Sequence, residues 1–117
     1  MRGLSVRWSL VGTGESVAAS LREYVATTSL ERFTGMPGLS FKTWRMREGE
    51  WFEGTYVFGG VEEREAFQAG FTPQGATSPV SRIVGVGPEL IEPFEVVAVA
   101  EGNEGFAPGV GLTELVD

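Results

Sequence analysis

The sequence predicts a ferredoxin-like α+β fold, an antiparallel sheet with helices on one face and the element order β-α-β-β-α-β. The first observation is the central stretch, residues 37–60, where two alternating, aromatic-rich segments flank a turn at Glu48-Gly49-Glu50. The second is a helix-like segment on each side of this hairpin. The third is a strand-like segment near each end of the chain, which completes the order.

The first strand is predicted over residues 4–11, where Leu4, Val6, Trp8 and Leu10 alternate with more polar positions. A helix follows from Ser16 to about Phe33. Its inward stripe at helical spacing consists of Val17, Leu21, Tyr24 and Thr28, with Val25 widening it. The weak helix formers at residues 27–29 predict a bend or a break there.

The central hairpin is predicted to pair strands 39–47 and 51–58. In the first strand, Leu39, Phe41 and Thr43 share one face, and Ser40, Lys42, Trp44 and Met46 share the other. In the second, Phe52, Tyr56 and Phe58 share a face on which Gly54 leaves room, and Trp51, Thr55 and Val57 lie opposite. Both faces are apolar in places, so the sheet needs two covers. The helices supply one cover, and we expect a second subunit, in a homodimer, to supply the other.

After the hairpin, a short acidic helix is predicted over residues 61–69, with Ala66 and Phe67 facing inward and Gly70 ending it. Pro79 begins a second short helix that reaches residue 83 or 84. The last strand is predicted over residues 93–100, whose continuous apolar run indicates burial on both faces. The chain is therefore divided into one domain, residues 1–101, and a C-terminal extension, residues 102–117. In the extension, Leu112, Leu115 and Val116 favour packing on a neighbouring subunit.

The composition limits the partners and the chemistry. With 117 residues, 42% hydrophobic and 21% charged, the chain has the size and balance of one globular domain. Its net charge of −7 argues against non-specific binding to nucleic acid or to anionic membranes. The first residues lack the apolar core of a signal peptide and no stretch has the length of a membrane span, so we expect a cytoplasmic protein.

The chain contains neither cysteine nor histidine. This composition removes the commonest general base, the commonest metal ligands and the usual proximal haem ligand. The acidic start of the helix at residue 61 suits the helix dipole and needs no metal. We therefore expect no cofactor and no metal site, and any chemistry would use carboxylates, hydroxyls, arginines or Lys42, the only lysine.

The segment 36–68 resembles the YdhR-like monooxygenases, which belong to the dimeric α+β barrel superfamily that includes the antibiotic-biosynthesis monooxygenases. The matching features are Pro37-Gly38-Leu39, Lys42-x-Trp44, Gly54-x-Tyr56-x-Phe58 and the acidic helix with Ala66-Phe67. Val84-Gly85-Val86, followed by Phe94-Glu95-Val96-Val97, is similar to the family's closing strand, so the resemblance covers roughly residues 4 to 100. It implies a homodimer with a pocket in each subunit between the sheet and the helices.

The superfamily includes cofactor-independent oxygenases, isomerases and haem-degrading enzymes. The haem-degrading branch is disfavoured, because the chain has no histidine and its only asparagine, Asn103, lies in the tail. The leading function that the resemblance implies is a cofactor-independent monooxygenase that acts on a small apolar, aromatic or polyketide-like molecule. Two alternatives stay open: a non-catalytic ligand-binding or structural homodimer of the same fold, and an isomerase or cyclase that uses the same pocket.

The candidate substrate-binding residues are the aromatic side chains that would line such a pocket, namely Trp8, Tyr24, Trp44, Phe58 and Phe67; simple core packing is the alternative for them. The candidate catalytic residues are Tyr56, Lys42 and Arg82, each of which could place a hydroxyl or a cation beside a developing anion.

Lys42 shares a strand face with Trp44. On an inward face it would act as a base or an anion binder, because burial depresses the pKa of a lysine. The sequence favours the other reading, in which Lys42 lies at the edge and extends to solvent. Arg7 and Arg45 are expected to meet a carboxylate such as Glu53, across strands or across the dimer.

Overall fold

The computed structural model describes residues 1–111, which contain four strands and four α-helices. The strands are β1 (Arg2–Ser9), β2 (Leu39–Arg47), β3 (Trp51–Phe58) and β4 (Leu90–Glu95). The helices are α1 (Glu15–Tyr24), α2 (Leu30–Phe33), α3 (Val61–Phe71) and α4 (Pro79–Val84). A π-helical segment, Val25–Ser29, joins α1 to α2, and a 3₁₀ segment, Thr72–Thr77, joins α3 to α4.

The four strands form one sheet in the order β2-β3-β1-β4, and every neighbouring pair is antiparallel. This order, with helices in both connections that cross between strands, is the ferredoxin-like topology and confirms the predicted fold class. The predicted bounds of β2 and β3 are also confirmed. Gly49 closes their turn at a φ of 75°, a left-handed conformation that favours glycine.

The hydrophobic core lies between one face of the sheet and the helices. The first strand begins and ends two residues earlier than the predicted range 4–11. The sheet side of the core includes Leu4, Val6 and Trp8 of β1 and Leu10 just after it, which were predicted to share a face and are at most 3% exposed. The inward residues of β3 are Phe52, Tyr56 and Phe58, as predicted. Leu21 of α1 and Phe33 of α2 cover them from the helical side. Because the two layers meet in this way, polar side chains on the inward face of β2 face aromatic rings.

The predicted helix 16–33 forms, but the π-helical segment changes which residues face inward. The weak helix formers at residues 27–29 lie within this segment, where the sequence predicted a bend. A π turn carries an extra residue, so the side chains after it rotate relative to an α-helical pattern. Ser29, 2% exposed, takes the inward position, whereas Thr28 is exposed. The assignment of Thr28 to the inward stripe is therefore wrong.

The sequence predicted that Leu39 and Phe41 share a face, but the structure places them on opposite faces of β2. The pairing of β2 with β3 shifts between these residues, so that Leu39 lies opposite Phe58 and Phe41 lies opposite Val57. Such a β-bulge reverses the alternation at one point of a strand. Leu39 consequently packs against the core. Lys42, Trp44 and Met46 keep the common face that was predicted, whereas Ser40, the fourth residue assigned to it, lies in the bulge and has no partner in β3.

Two predictions for the second half of the chain are also wrong. Gly70 does not end α3, which continues to Phe71, and Ala66 is exposed while Phe67 packs on the core. The last strand spans Leu90–Glu95 instead of residues 93–100, and it is an edge strand. Arg2, the first residue of β1, pairs with Glu95, and the backbone N–H of Val96 donates a hydrogen bond to the Met1 carbonyl oxygen. The apolar run after β4 lies outside the sheet, and Val97 is 91% exposed.

The outer face of the sheet is partly covered by the chain itself. The ring of Phe94 lies across Gly3, where a Cβ atom would come within 2.1 Å of it. From the tail, Phe106 packs on Phe41 with ring centroids 5.6 Å apart. Nearby, Val57 is 3% exposed. Part of the second cover expected from a partner subunit thus comes from residues of the same chain, and the homodimer stays a prediction.

The tail residues Leu112, Leu115 and Val116 lie outside the described residues, and the domain boundary at residue 101 stays a prediction. None of the helices in the part of the chain that the structure describes is long and apolar enough to cross a membrane.

Candidate functional site

Lys42 lies on the inward face of the sheet, not at a solvent-exposed edge as the sequence favoured. β2 places it directly opposite Tyr56 of β3. Its Nζ atom donates a hydrogen bond to the Tyr56 hydroxyl oxygen over 3.0 Å. The side chain points inward because the bulge near Leu39 is complete before Lys42, so the face shared with Trp44 and Met46 is the core face.

Three aromatic rings surround the Lys42 amine. Its Nζ atom lies 3.6 Å from the ring centroid of Phe33, 4.2 Å from that of Tyr56 and 4.5 Å from that of Trp44. Ring faces attract a cation but do not replace its hydration shell. None of the ion pairs within residues 1–111 involves Lys42. We call Lys42 and these three rings the lysine cage.

The environment of the lysine cage favours a neutral amine. Burial lowers the pKa of Lys42, the nearby charge of Arg32 lowers it further, and the result is a pKa of about 6. At pH 7 the amine is therefore mostly unprotonated and carries a free lone pair. A neutral lysine of this kind can act as a base or as a nucleophile.

Tyr56 remains a neutral phenol over the same pH range. Burial raises its pKa strongly, Arg32 partly opposes this increase, and Tyr24 adds to it. Its hydroxyl group can therefore donate a hydrogen bond to a substrate oxygen while keeping its proton. Lys42 and Tyr56 together present one unprotonated amine and one protonated hydroxyl at neutral pH.

Gly54 makes the space in which these two side chains meet. A Cβ atom at Gly54 would lie 3.3 Å from Lys42 Cε and 3.5 Å from the Tyr56 hydroxyl oxygen. Contacts at such distances would push the lysine stem away from its present position. The room that the sequence predicted at Gly54 is thus occupied by the side chain of Lys42.

The helical layer completes the cage through the segment from Leu21 to Phe33. The π turn directs the Ser29 hydroxyl inward, where it accepts a hydrogen bond of 3.0 Å from Trp44 Nε1. This bond fixes the indole ring beside the amine. One turn later, Phe33 contacts Trp44, Tyr56 and Phe67, with ring centroids 5.5–6.1 Å apart. The cage is consequently held by both layers of the fold.

A small cavity of about 40 Å³ adjoins the cage. Six of the residues predicted as site residues line it: Trp8, Tyr24, Lys42, Trp44, Tyr56 and Phe67. The other lining residues include Ser29, Arg32, Phe33, Phe52, Gly54 and Phe71. The structure thus brings together most of the candidate residues, around a partly open space that holds only a few water molecules.

Two of the predicted site residues lie elsewhere. Phe58 does not line the cavity. Its ring packs behind two residues that do, Tyr56 and Phe67, with ring centroids 6.2 and 5.5 Å apart. Arg82 is exposed on α4 and is not among the cavity residues. α4 presents Ser81 and Val84 to the core, and its arginine consequently points outward. Arg32 is the arginine that lines the cavity.

Sequence reasoning missed Phe33, Ser29 and Arg32. A signal for the first two was present, because Leu21, Val25, Ser29 and Phe33 follow one another at intervals of four residues. The stripe drawn through Tyr24 and Thr28 concealed that pattern. Arg32 had no comparable signal, since a charged residue near a helix end is usually solvated.

Two open grooves lie along the free edge of β2, below the tail. One, of about 550 Å³, is lined by residues of β2 and by the tail from Phe106 to Gly109, and its wall includes Lys42 and Phe33. The other, of about 290 Å³, lies beside Trp44 and Met46. Among residues 1–111, acidic side chains do not converge in the number needed to hold a metal ion.

Comparisons with known proteins identify neither a matching family model nor a matching curated protein. One solved structure that is similar comes from Chloroflexus aurantiacus J-10-fl, a protein provisionally assigned as an antibiotic biosynthesis monooxygenase. It is 12% identical to this chain, and the alignment covers 85% of this chain and 95% of the other, with a TM-score of 0.46. A likeness of this size does not bear on function, and the YdhR-like assignment stays a prediction.

Proposed function

We propose that this protein is a cofactor-independent, monooxygenase-like enzyme that acts on a small apolar, aromatic or polyketide-like molecule at the lysine cage. The observation that carries the proposal is the 3.0 Å contact between the Lys42 amine and the Tyr56 hydroxyl inside a ring of aromatic side chains. Such a pair can remove a proton from a weakly acidic substrate and hold the anion that results.

The first step is proton transfer from an acidic C–H group of the substrate to the neutral Lys42 amine. The electron pair of that bond stays on the substrate and is delocalised onto its oxygen. The Tyr56 hydroxyl and the new Lys42 ammonium then stabilise this oxyanion. The surrounding rings exclude water, which strengthens both interactions.

The second step uses molecular oxygen as the oxidant. The substrate anion reduces oxygen and a carbon–oxygen bond forms. Loss of water then leaves a carbonyl group, so a CH₂ group and O₂ become a C=O group and H₂O. All the electrons come from the substrate, and the protein's part is to move the proton and to stabilise the anion.

The cavity beside the cage is too small for a phenol-sized molecule in its present form, since pockets for such ligands are typically about 300–1,000 Å³. Lys42, Phe33 and Trp44 also line the larger groove beneath the tail. An aromatic substrate would enter from this side, with the tail segment 106–111 displaced. Opening on this side is therefore part of the proposal.

Oxygen uptake tests the proposal. The protein is incubated with a panel of anthrone-like and phenolic carbon acids, and uptake is compared with that of Lys42→Met, Tyr56→Phe and the exposed Arg82→Gln. We expect uptake with at least one compound, a loss of about 10²-fold or more in Lys42→Met, and no change in Arg82→Gln. Uptake that is equal in Lys42→Met would contradict the role of the amine.

A second candidate is a non-catalytic ligand-binding or structural protein of the same fold. The small size of the cavity, about 40 Å³, favours it. Binding of the same compounds without oxygen uptake or product would support this candidate. An isomerase or cyclase would use the same first step, and it is distinguished by conversion of the substrate in the absence of oxygen.

The proposal includes a homodimer and a cytoplasmic location. The partly apolar outer face of the sheet, with Phe41, Phe94 and Phe106, supports association of two copies through that face. Light scattering coupled to size-exclusion chromatography checks this. A monomer at micromolar concentration would contradict it.

A further inference from the structure

We propose that Lys42 is also a carbonyl-capture site, at which its amine forms an imine with a small aldehyde or ketone that carries a carboxylate group. The inference shares the buried amine with the proposed function. It requires neither oxygen nor an acidic C–H group, so the two can fail separately.

The nucleophile is the Lys42 amine, which has no carboxylate counter-ion within residues 1–111. Lys42 Nζ has one hydrogen-bond partner within residues 1–111, the Tyr56 hydroxyl, and otherwise faces the rings of Phe33 and Trp44. A lysine in an apolar site keeps its lone pair and attacks carbonyl carbons readily. Its lowered pKa, about 6, agrees with this geometry.

Tyr56 supplies the second requirement of imine formation, a proton for the oxygen that leaves. The amine lone pair of Lys42 attacks the carbonyl carbon, and the C–N bond forms while the carbonyl oxygen becomes a hydroxyl group. The C–O bond then breaks, and that oxygen leaves as water after it receives a proton. The Tyr56 hydroxyl, 3.0 Å from Nζ, is placed to give this proton and to regain one from the nitrogen. The balance is amine plus carbonyl to imine plus water.

The size of the cavity limits the ligand. A volume of about 40 Å³ corresponds to roughly three water-sized spheres, since one water needs about 10–15 Å³ in the same measure. A molecule of about five or six non-hydrogen atoms, such as a 2-oxo acid of two or three carbons, occupies a similar space. The present conformation thus suits a small carbonyl compound better than an aromatic one.

Arg32 gives the preference for a carboxylate. It lines the same cavity, and its guanidinium lies 4.9 Å from the ring centroid of Phe33, the ring that also contacts Lys42. It forms no ion pair with a carboxylate of residues 1–111. A guanidinium near the cavity binds a carboxylate through charge-assisted hydrogen bonds. Since the neutral Lys42 adds no positive charge, Arg32 is the cation that would select an anionic ligand.

Reductive trapping tests the proposal, and the chain makes the test unusually clear because it has one lysine. The full-length protein is treated at pH 7, without oxygen, with glyoxylate or with acetaldehyde and cyanoborohydride, which reduces an imine to a stable amine. Intact mass and peptide mapping then locate the added group. The only other amine is the N-terminal group of Met1, which is an exposed control in the same molecule.

We expect glyoxylate to modify Lys42, and the ratio of Lys42 to Met1 modification to be about tenfold higher with glyoxylate than with acetaldehyde. Arg32→Gln should remove this difference, whereas Arg82→Gln, which changes an exposed arginine outside the cavity, should keep it. Tyr56→Phe should slow trapping at Lys42 without changing that at Met1.

Modification confined to Met1 would overturn the proposal. So would equal ratios for the two aldehydes, because the carboxylate would then have no partner. Lys42→Arg, which has no primary amine and cannot form an imine, should be modified at Met1 alone. If that variant does not fold, the peptide map of the unchanged protein still decides.

Discussion

Lys42 and Tyr56 face each other across β2 and β3, and the 3.0 Å hydrogen bond between them lies inside the aromatic core. The pairing brings together two groups whose pKa values burial moves in opposite directions. That of the lysine falls to about 6, and that of the tyrosine rises. Both are consequently neutral at pH 7. The pair can exchange a proton with a bound molecule, and neither group places a charge against the rings before that molecule binds.

The pH dependence of stability should report the neutral state of Lys42. Its pKa is about 6 when folded and close to 10.5 when unfolded, so between these values the unfolded chain binds one more proton. The free energy of unfolding should therefore rise with pH, by up to about 1.4 kcal/mol per pH unit from this group. Urea unfolding at pH 7, 8 and 9 measures the slope. These pH values lie below the range in which the Tyr56 phenol loses its proton and contributes to the slope.

The matched variants for this measurement are Lys42→Met and Arg82→Met. The first removes the titrating group and should flatten the slope, while raising stability at pH 7 because no buried amine has to lose its proton. The second removes an exposed cation and should keep the slope. An unchanged slope in Lys42→Met would show that another group causes it.

Glu53 is expected to stabilise the outer face of the sheet at neutral pH. It is 2% exposed and forms ion pairs with Arg7 at 2.9 Å and with Arg45 at 2.6 Å. Burial raises the pKa of Glu53, but hydrogen bonds from Arg45, Arg7 and Thr55 outweigh burial and lower it overall. Its contribution is thus present above about pH 4.5, the value for the unfolded chain, and is lost as the pH falls towards the lower folded value.

Glu53→Gln should lower the free energy of unfolding at pH 7 by about 1–3 kcal/mol, less than for a fully buried pair because both arginines are partly exposed. The difference should shrink as the pH falls below about 4.5, the unfolded value. Glu48→Gln, which removes the exposed pair with Arg22, should cost less than about 1 kcal/mol. Equal losses in the two variants would contradict the importance of burial at Glu53.

Ser81 is predicted to hold α4 against the sheet. Its hydroxyl accepts a hydrogen bond of 2.8 Å from Trp8 Nε1 and donates one of 2.5 Å to the Gly75 carbonyl oxygen. Ser81→Ala leaves the buried indole N–H without this partner, which should cost about 1–3 kcal/mol in thermal or urea unfolding. Ser20→Ala, an exposed change within α1, is the control and should have little effect. A loss no larger than that of Ser20→Ala would show that the bond adds nothing.

The bounds of the hairpin strands could be predicted to the residue because alternation, aromatic content and the glycine turn at Gly49 all agree there. The pairing of Arg7 and Arg45 with Glu53 followed from the same alternation. The position of β4 could not be predicted, because it is set by pairing with β1, whose first residue, Arg2, lies opposite Glu95, the last residue of β4. The apolar run at residues 96–100 does not show which residues pair with β1.

The site was predictable in its strand half and not in its helical half. Strand periodicity places Lys42, Trp44 and Tyr56 in the site once it is known which face of the sheet points inward. That direction depends on the bulge between Leu39 and Phe41, which leaves no mark in the sequence pattern. Phe33 and Ser29 depend on a π turn, whose extra residue breaks the period used to assign the helix.

Gly54 controls the position of the lysine amine, and Gly54→Ala tests whether the site depends on it. The new methyl group would lie 3.3 Å from Lys42 Cε, so the lysine stem must shift by a few tenths of an ångström and its contact with Tyr56 should weaken. Because β3 is extended at this residue, alanine causes no backbone strain. We therefore expect the fold to persist, with a change in stability within about 1 kcal/mol.

The reactivity of Lys42 should change more than stability. We expect reductive trapping at Lys42 in Gly54→Ala to slow by about tenfold relative to trapping at Met1, as a displaced nucleophile loses its alignment with Tyr56. Gly70→Ala, at an exposed position in α3 with open space around it, is the control and should react like the unchanged protein. Unchanged trapping in Gly54→Ala would mean that the space beside Gly54 does not set the reactivity of the amine, and that the rings of the cage alone do so.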